Sequence, residues 1–344
     1  MTDPHDSTGH APGRGPSDDR QADAGGQAVS RPVALVTGAS RGLGFLLARE
    51  LGDRGYDVVI CARSGDSMAA ARDDLTRRGT DVLAVEADVG DAADAQRLVE
   101  ETERRFGQLD LLVTNAGVIQ VGPATQMRAE DYAQAMDVMF WGVLHTVNAA
   151  LPLLQRRRGR VLAVTSIGGK LPTPHLLPYA AAKHAAVGYA EGLRVEAARL
   201  GIGVTVAVPG LMRTGSTRNA LFTGDWAAER RWFTLAASTP LLSMDAERAA
   251  RRLIAATLRG RPEVSLTPAA KIGVRAHALA PGLTLRAAAT VERLLPRPSA
   301  AIGDERSGPP LPGHTTGRQP GWFHRLTRLD RDAAHRWHEL DDPA

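Results

Sequence analysis

A single cysteine, Cys61, among 344 residues excludes any disulfide within the chain, and its place in an apolar run marks it as a small core residue. Lysine is almost as scarce, standing only at 170, 183 and 271, so arginine carries nearly all the positive charge. The 42 basic residues are offset by 38 acidic ones to a net +4, which leaves no basic stripe for a nucleic acid to bind. No uninterrupted apolar run reaches the roughly 18 residues of a membrane span, and the N-terminus lacks the apolar stretch of a signal peptide. These absences create the expectation of a soluble cytoplasmic protein. No metal site is expected either: His175 has no companion His or Asp at ligand spacing.

The chain is long enough for one large domain or two small ones. Residues 1–31 are rich in Gly, Asp, Pro, Ser and His with hardly a large apolar side chain, and are expected to be disordered. Short β-branched runs then recur between helical stretches, at 33–37, 57–62, 81–86, 109–114, 160–165, 201–207 and 263–266. The first four begin 24 to 28 residues apart, the length of one βα unit, and continuous apolar strands of this kind belong inside a parallel sheet covered on both faces. The expected fold is therefore α/β, a doubly wound parallel sheet of about seven strands over residues 32–267. A helical extension follows at 268–295, broken at Pro281-Gly282, then a Pro/Gly-rich linker at 296–320. At 321–344 an amphipathic helix aligns Trp322, Leu326, Leu329, Ala333, Trp337 and Leu340 on one face. Docking of that face on its own or a twin subunit is expected in preference to a membrane surface.

Glycines carry the first chemical signal. Thr37-Gly38-Ala39-Ser40-Arg41-Gly42-Leu43-Gly44 stands between the first strand and a helical run, where bare backbone admits a pyrophosphate to the helix N-terminus. The second strand ends at Arg63, where a dinucleotide-binding unit for NAD commonly carries an acid on the adenosine ribose. A guanidinium there suits a 2′-phosphate, and Arg41 lies in reach of the same group, so NADP(H) is expected in preference to NAD(H). Asp88-Val89 and Asn115-Ala116-Gly117 follow the third and fourth strands, at the sheet edge where such folds bind ligands. Tyr179 and Lys183, four residues apart, share one helix face, and a cation beside a phenol helps it exchange protons.

In this order, Thr37-Gly-X3-Gly-X-Gly, Asp88-Val89, Asn115-Ala-Gly, Ser166, Tyr179-X3-Lys183 and Pro209-Gly210-X3-Thr214 resemble the short-chain dehydrogenase/reductase family in its common single-domain form. The resemblance implies that Tyr179 exchanges a proton with the substrate oxygen, that Ser166 hydrogen-bonds the same oxygen, and that Lys183 lowers the Tyr179 pKa and holds the nicotinamide ribose. It gives Asp88 an adenine contact, makes 115–117 the floor of the cofactor site, and sets Pro209, Gly210 and Thr214 near the nicotinamide amide. Asp110 would brace the fourth strand. The chain departs from the family at Met139, in Asp137-Val-Met139-Phe-Trp-Gly142, where the family has a catalytic Asn. Asn148 is about 2.5 helical turns on and cannot take its place.

Substrate choice is expected to come from residues 210–240, with Met212, Leu221, Phe222, Trp226, Trp232 and Phe233, and from 175–177 ahead of Tyr179. An apolar lid suits a hydrophobic alcohol or carbonyl compound. Helix-mediated association in the family implies a homo-oligomer. The competing expectation is a low-turnover nucleotide-binding protein whose C-terminal helix contacts a partner or a membrane.

Overall fold

Alternation along the apolar strands decides how the sheet is covered. In β1 (Val33–Thr37), Ala34 and Val36 enter one core while Val33 and Leu35 enter another. β2 (Asp57–Ala62) divides likewise, Val58 and Ile60 to the first core and Val59 and Cys61 to the second. Side chains of a strand point alternately to the two faces, so a strand with no polar position must be covered on both. α1 (Gly42–Asp53), α2 (Gly65–Arg77) and α8 (Ala246–Leu258) supply the first cover. α3 (Ala92–Phe106), α5 (Gly142–Arg157) and α6 (Leu177–Ala197) contribute to the second. Cys61 is buried there, its thiol pushed up to about 12 by desolvation, which agrees with a purely structural residue.

The structure is a computed structural model that describes residues 30–240, 243–297, 311–313 and 327–339. β3 (Val82–Glu86), β4 (Leu111–Thr114), β5 (Arg160–Val164), β6 (Gly203–Val208) and β7 (Glu263–Ser265) complete a seven-stranded parallel sheet ordered β7-β6-β5-β4-β1-β2-β3. The doubly wound α/β expectation is met. β6 starts two residues later than expected because Gly201, at φ 74°, closes the preceding helical turn. Asp110 braces the sheet as anticipated: its carboxylate accepts from the Val33 N–H at 2.8 Å. Strand order reverses between β1 and β4, so the carboxyl ends of these strands open the crevice in which such sheets bind ligands.

α4 (Ala129–Met136), a π-helical turn at Asp137–Trp141, and α5 form one continuous helix. By length and composition this stretch is apolar enough to cross a membrane. Val143, Val147, Leu153 and Leu154 are instead buried in the second core. α9 (Pro268–Leu279) and α10 (Pro281–Glu292) follow the last strand and leave Ile272, Leu279, Leu283 and Leu285 exposed.

The C-terminal segment docks on its own subunit, one of the two seats expected for it. Disorder of residues 1–31 and a linker at 296–320 are expectations that fall mostly outside the described residues, but Leu311–Pro312 pairs antiparallel with Leu221–Phe222. α11 (Arg328–Arg336) then packs on the domain. Ala333 and Trp337 join the first core, and the Arg49 guanidinium lies 4.9 Å from the Trp337 ring centre. The buried Asp330 carboxylate accepts from the Gly215 N–H at 3.1 Å and the Thr217 hydroxyl at 2.7 Å. Of the anticipated stripe, Trp322, Leu326 and Leu340 lie outside the described residues, and Leu329 is exposed. Trp337 faces its own chain, so it is not the membrane or twin-subunit anchor that periodicity alone left open.

Candidate active site

Every turn after β1, β2, β3, β4, β5 and β6 opens onto one cavity of about 930 Å3, a size suited to a large organic ligand. At one end the glycine turn enters α1. Gly38 has φ +63°, and a Cβ there would stand 2.8 Å from the Ala116 Cα; a Cβ on Gly44 would stand 2.0 Å from the Gly38 carbonyl oxygen. Only glycine fits this close approach, which keeps the backbone bare at the N-terminus of α1. Asn115 locks the turn from the neighbouring strand: its side-chain amide donates to the carbonyls of Thr37 and Gly38, both at 3.1 Å. The Thr37 hydroxyl in turn accepts from the N–H groups of Asn115 and Ala116 at 2.9 and 3.1 Å.

Arg63 stands exposed beside this turn at the end of β2 and makes no ion pair that the described residues show. Asp88 accepts from the Gly90 N–H at 3.0 Å, and its own N–H donates to Asp94. Along the remaining walls the cavity takes in Val89, Ala116, Gly117, Pro209, Gly210 and Thr214. Of the residues anticipated for the site, all line the cavity except Gly42. The Gly42 N–H points at the tail and donates to the Trp337 carbonyl at 2.7 Å.

At the other end α6 begins. Pro178, in its first turn, sets the helix start, and Tyr179 and Lys183 follow on one face. The Ser166 hydroxyl, at the end of β5, accepts from the Gly168 N–H at 3.1 Å and hydrogen-bonds Tyr179. Lys183 is buried; its ammonium donates to the Val164 carbonyl at 3.0 Å, and desolvation lowers its pKa to about 8. Desolvation raises the phenol above its ordinary value, opposed by the Ser166 hydrogen bond; the Lys183 Nζ lies 5.9 Å from the ring centre.

Met139 is fully buried in the π-helical turn, among Ala135, Val138 and Ala182 with Tyr179 beside them. Val138, not Met139, faces the cavity. Asn148 is exposed, near the Tyr189 hydroxyl at 3.5 Å, and takes no part in the site. Placing an amide at 139 would bury it among apolar groups. Met139→Asn is therefore expected to change kcat by less than about tenfold and to cost about 2 kcal/mol of stability. Steady-state rates and urea melts of both forms check this, and a hundredfold gain in kcat would contradict it.

The lid is less of a wall than anticipated. Phe222 and Phe233 are buried with Val121 and Ala220, and Trp226 and Trp232 pack against that cluster. Met212 alone of the six named lid residues lines the cavity, where Val118, Ile119 and Val138 join it. His175 has a partner that spacing concealed: Glu229, on α7 (Trp226–Ser238), lies 2.9 Å from its Nδ1 and accepts from the Trp232 indole at 2.6 Å. This buried pair ties the lid to the turn just before Tyr179, where His175 holds φ 60°. His338 and Glu339, which the sequence did not single out, also line the cavity. Among the described residues no group of His, Cys, Asp and Glu could hold a metal.

A family profile for short chain dehydrogenases matches residues 32–222. An 11-beta-hydroxysteroid dehydrogenase A of Sesamum indicum is 34% identical over 69% of this chain and 68% of its own length. Two solved structures share the architecture. One is a short chain dehydrogenase/reductase from Burkholderia phymatum in complex with NAD, 26% identical, covering 74% of this chain and 95% of that one with a TM-score of 0.68. The other is an actinorhodin polyketide ketoreductase with NADPH, 27% identical, covering 69% and 96% with a TM-score of 0.62. With the glycine turn at one end of the crevice and Ser166, Tyr179 and Lys183 at the other, the chain belongs to the short-chain dehydrogenase/reductase family of NAD(P)-dependent oxidoreductases.

Proposed function

We propose that this oxidoreductase prefers NADP(H) and moves a hydride between that cofactor and a hydroxyl or carbonyl group of a hydrophobic small molecule. The observation that carries the reaction is the convergence of Ser166, Tyr179 and Lys183 on the cavity that the glycine turn also enters. The donor set fits a dinucleotide: bare backbone at Gly38 and Gly44, the N-terminus of α1, and the Lys183 ammonium. The bound cofactor would supply or accept the hydride. The Tyr179 phenol passes a proton to the substrate oxygen in reduction and recovers it in oxidation, and Ser166 holds that oxygen by a hydrogen bond. Lys183 supplies positive charge where alkoxide develops and a donor to the nicotinamide ribose. Asn115 keeps the glycine turn in place, and Asp88, Val89, Pro209, Gly210 and Thr214 complete the cofactor contacts.

Arg63 supports the NADP preference, since an exposed guanidinium at the adenosine end suits a phosphate better than a ribose hydroxyl. Val118, Ile119, Val138 and Met212 favour an apolar substrate. The relatives act on unlike skeletons, a hydroxysteroid in one name and a polyketide in another, which agrees with a bulky carbonyl or alcohol as substrate class. The expected homo-oligomer and cytoplasmic location belong to the same proposal.

Changing Arg63 to Glu tests the cofactor. It deletes a charge-assisted contact worth about 1.5 to 3 kcal/mol and adds repulsion, so NADPH affinity should fall at least about tenfold while NADH affinity changes little. Fluorescence titration of both cofactors measures this. Equal losses would move the discrimination to another residue.

A further inference from the structure

The tail brings an anion to the place where the cofactor's phosphates must go. Glu339 is 5% exposed and lines the same cavity as the glycine turn. Its carboxylate lies 3.5 Å from the Arg41 Nε and accepts from the Asn219 side chain at 2.6 Å. A Cβ on Gly42 would stand 2.4 Å from its Oε1, so the carboxylate presses against the glycine turn itself. Two residues earlier, the Trp337 carbonyl accepts from the Gly42 N–H at the start of α1. Helix N-terminal amides and an arginine form an anion site in any such turn. Here the chain's own carbonyl and carboxylate engage it.

The placement is built and not incidental. Asp330 anchors α11 to Gly215 and Thr217, Trp337 is buried in the first core, and the His338 ring meets Phe45 edge-on at 4.7 Å between ring centres. These contacts fix the segment that carries Glu339 against the domain.

We propose that Glu339, together with the Trp337 carbonyl, is a determinant of cofactor affinity: the docked tail competes with the dinucleotide's phosphates for the glycine turn and Arg41. Like charges at one site repel, and a donor already engaged cannot bind a phosphate without releasing its first partner. Arg41 therefore serves the tail when the tail is docked and the cofactor when it is not. The proposal rests on the reading of the cavity as a dinucleotide site.

Two full-length variants test it. Glu339→Gln removes the charge at the site, and Asp330→Ala loosens the anchor outside the cavity. Each is expected to tighten NADPH and NADH binding by about tenfold in fluorescence titration, and NADPH should speed amide hydrogen exchange across residues 328–339 of the natural chain. Weaker binding in Glu339→Gln, or slower exchange in the tail on NADPH binding, would overturn the proposal and make the tail a strap that retains the cofactor. Failure of the natural chain and both variants to bind either dinucleotide would overturn the cavity assignment and this proposal with it. Normal binding without gain in the variants would overturn the proposal alone.

Discussion

Replacing Tyr179 with phenylalanine is expected to lower kcat by roughly a thousandfold while leaving NADPH affinity within a few-fold. The change removes one oxygen and keeps the ring that packs beside Met139 and Ala182. On the proposed mechanism, what is lost is the proton donor to the substrate oxygen, which would act in the chemical step and add little to cofactor binding. The phenol's burial also implies a pH dependence. Because burial holds the phenol above its ordinary pKa, it is protonated at neutral pH and ready to donate, whereas alcohol oxidation needs the phenolate. Ketone reduction should therefore proceed near pH 7, and oxidation should climb as pH rises toward the phenol pKa. Steady-state rates in both directions check this, and a Phe variant with ordinary kcat would remove Tyr179 from the chemistry.

Lys183→Met should separate activity from stability. Turnover is expected to fall at least about a hundredfold, because the ammonium that assists the developing alkoxide is gone. Stability should move the other way. The folded pKa of about 8 lies below the ordinary 10.5, so between those values the unfolded chain holds a proton that the folded chain has lost. Natural-chain stability from this group therefore rises with pH through that window and is lowest below it, a difference of about 3 kcal/mol. Methionine escapes that cost but leaves the Val164 carbonyl without its donor, which costs about 1 kcal/mol. The variant should thus be more stable by about 2 kcal/mol near pH 7 and lose that advantage near pH 10. Urea denaturation at both pH values measures it, and a variant less stable at pH 7 would show that the buried ammonium carries no such cost.

Much of this site was legible because its residues are tied to strand ends. A parallel sheet brings every β-strand's carboxyl end to one edge, so the glycine turn, Arg63, Asp88, Asn115 and Ser166 had to meet once the strands were recognised. Tyr179 and Lys183 were legible for a different reason, the period of the α-helix. What escaped were contacts that no local period encodes. His175 and Glu229 are 54 residues apart and meet only when α7 folds over the turn before Tyr179. Asp330 finds Thr217 across 113 residues. The aromatic lid residues looked like cavity walls because hydrophobicity does not reveal which side of a helix faces a ligand, and Phe222 and Phe233 instead fill the lid's own small core. In the tail, the spacing of Ala333 and Trp337 revealed an apolar face but not its seat, which is α7 and the 211–213 segment for the helix and Arg49 of α1 for Trp337.

The most direct measurement of hydride transfer uses NADPH carrying two deuteriums at C4 of the nicotinamide ring and a hydrophobic ketone, followed by mass spectrometry of the product. An alcohol carrying one deuterium on the former carbonyl carbon is expected from the natural chain and not from Tyr179→Phe. Tight NADPH binding with no label passed to any of a panel of steroid, polyketide-like and medium-chain ketones would contradict it.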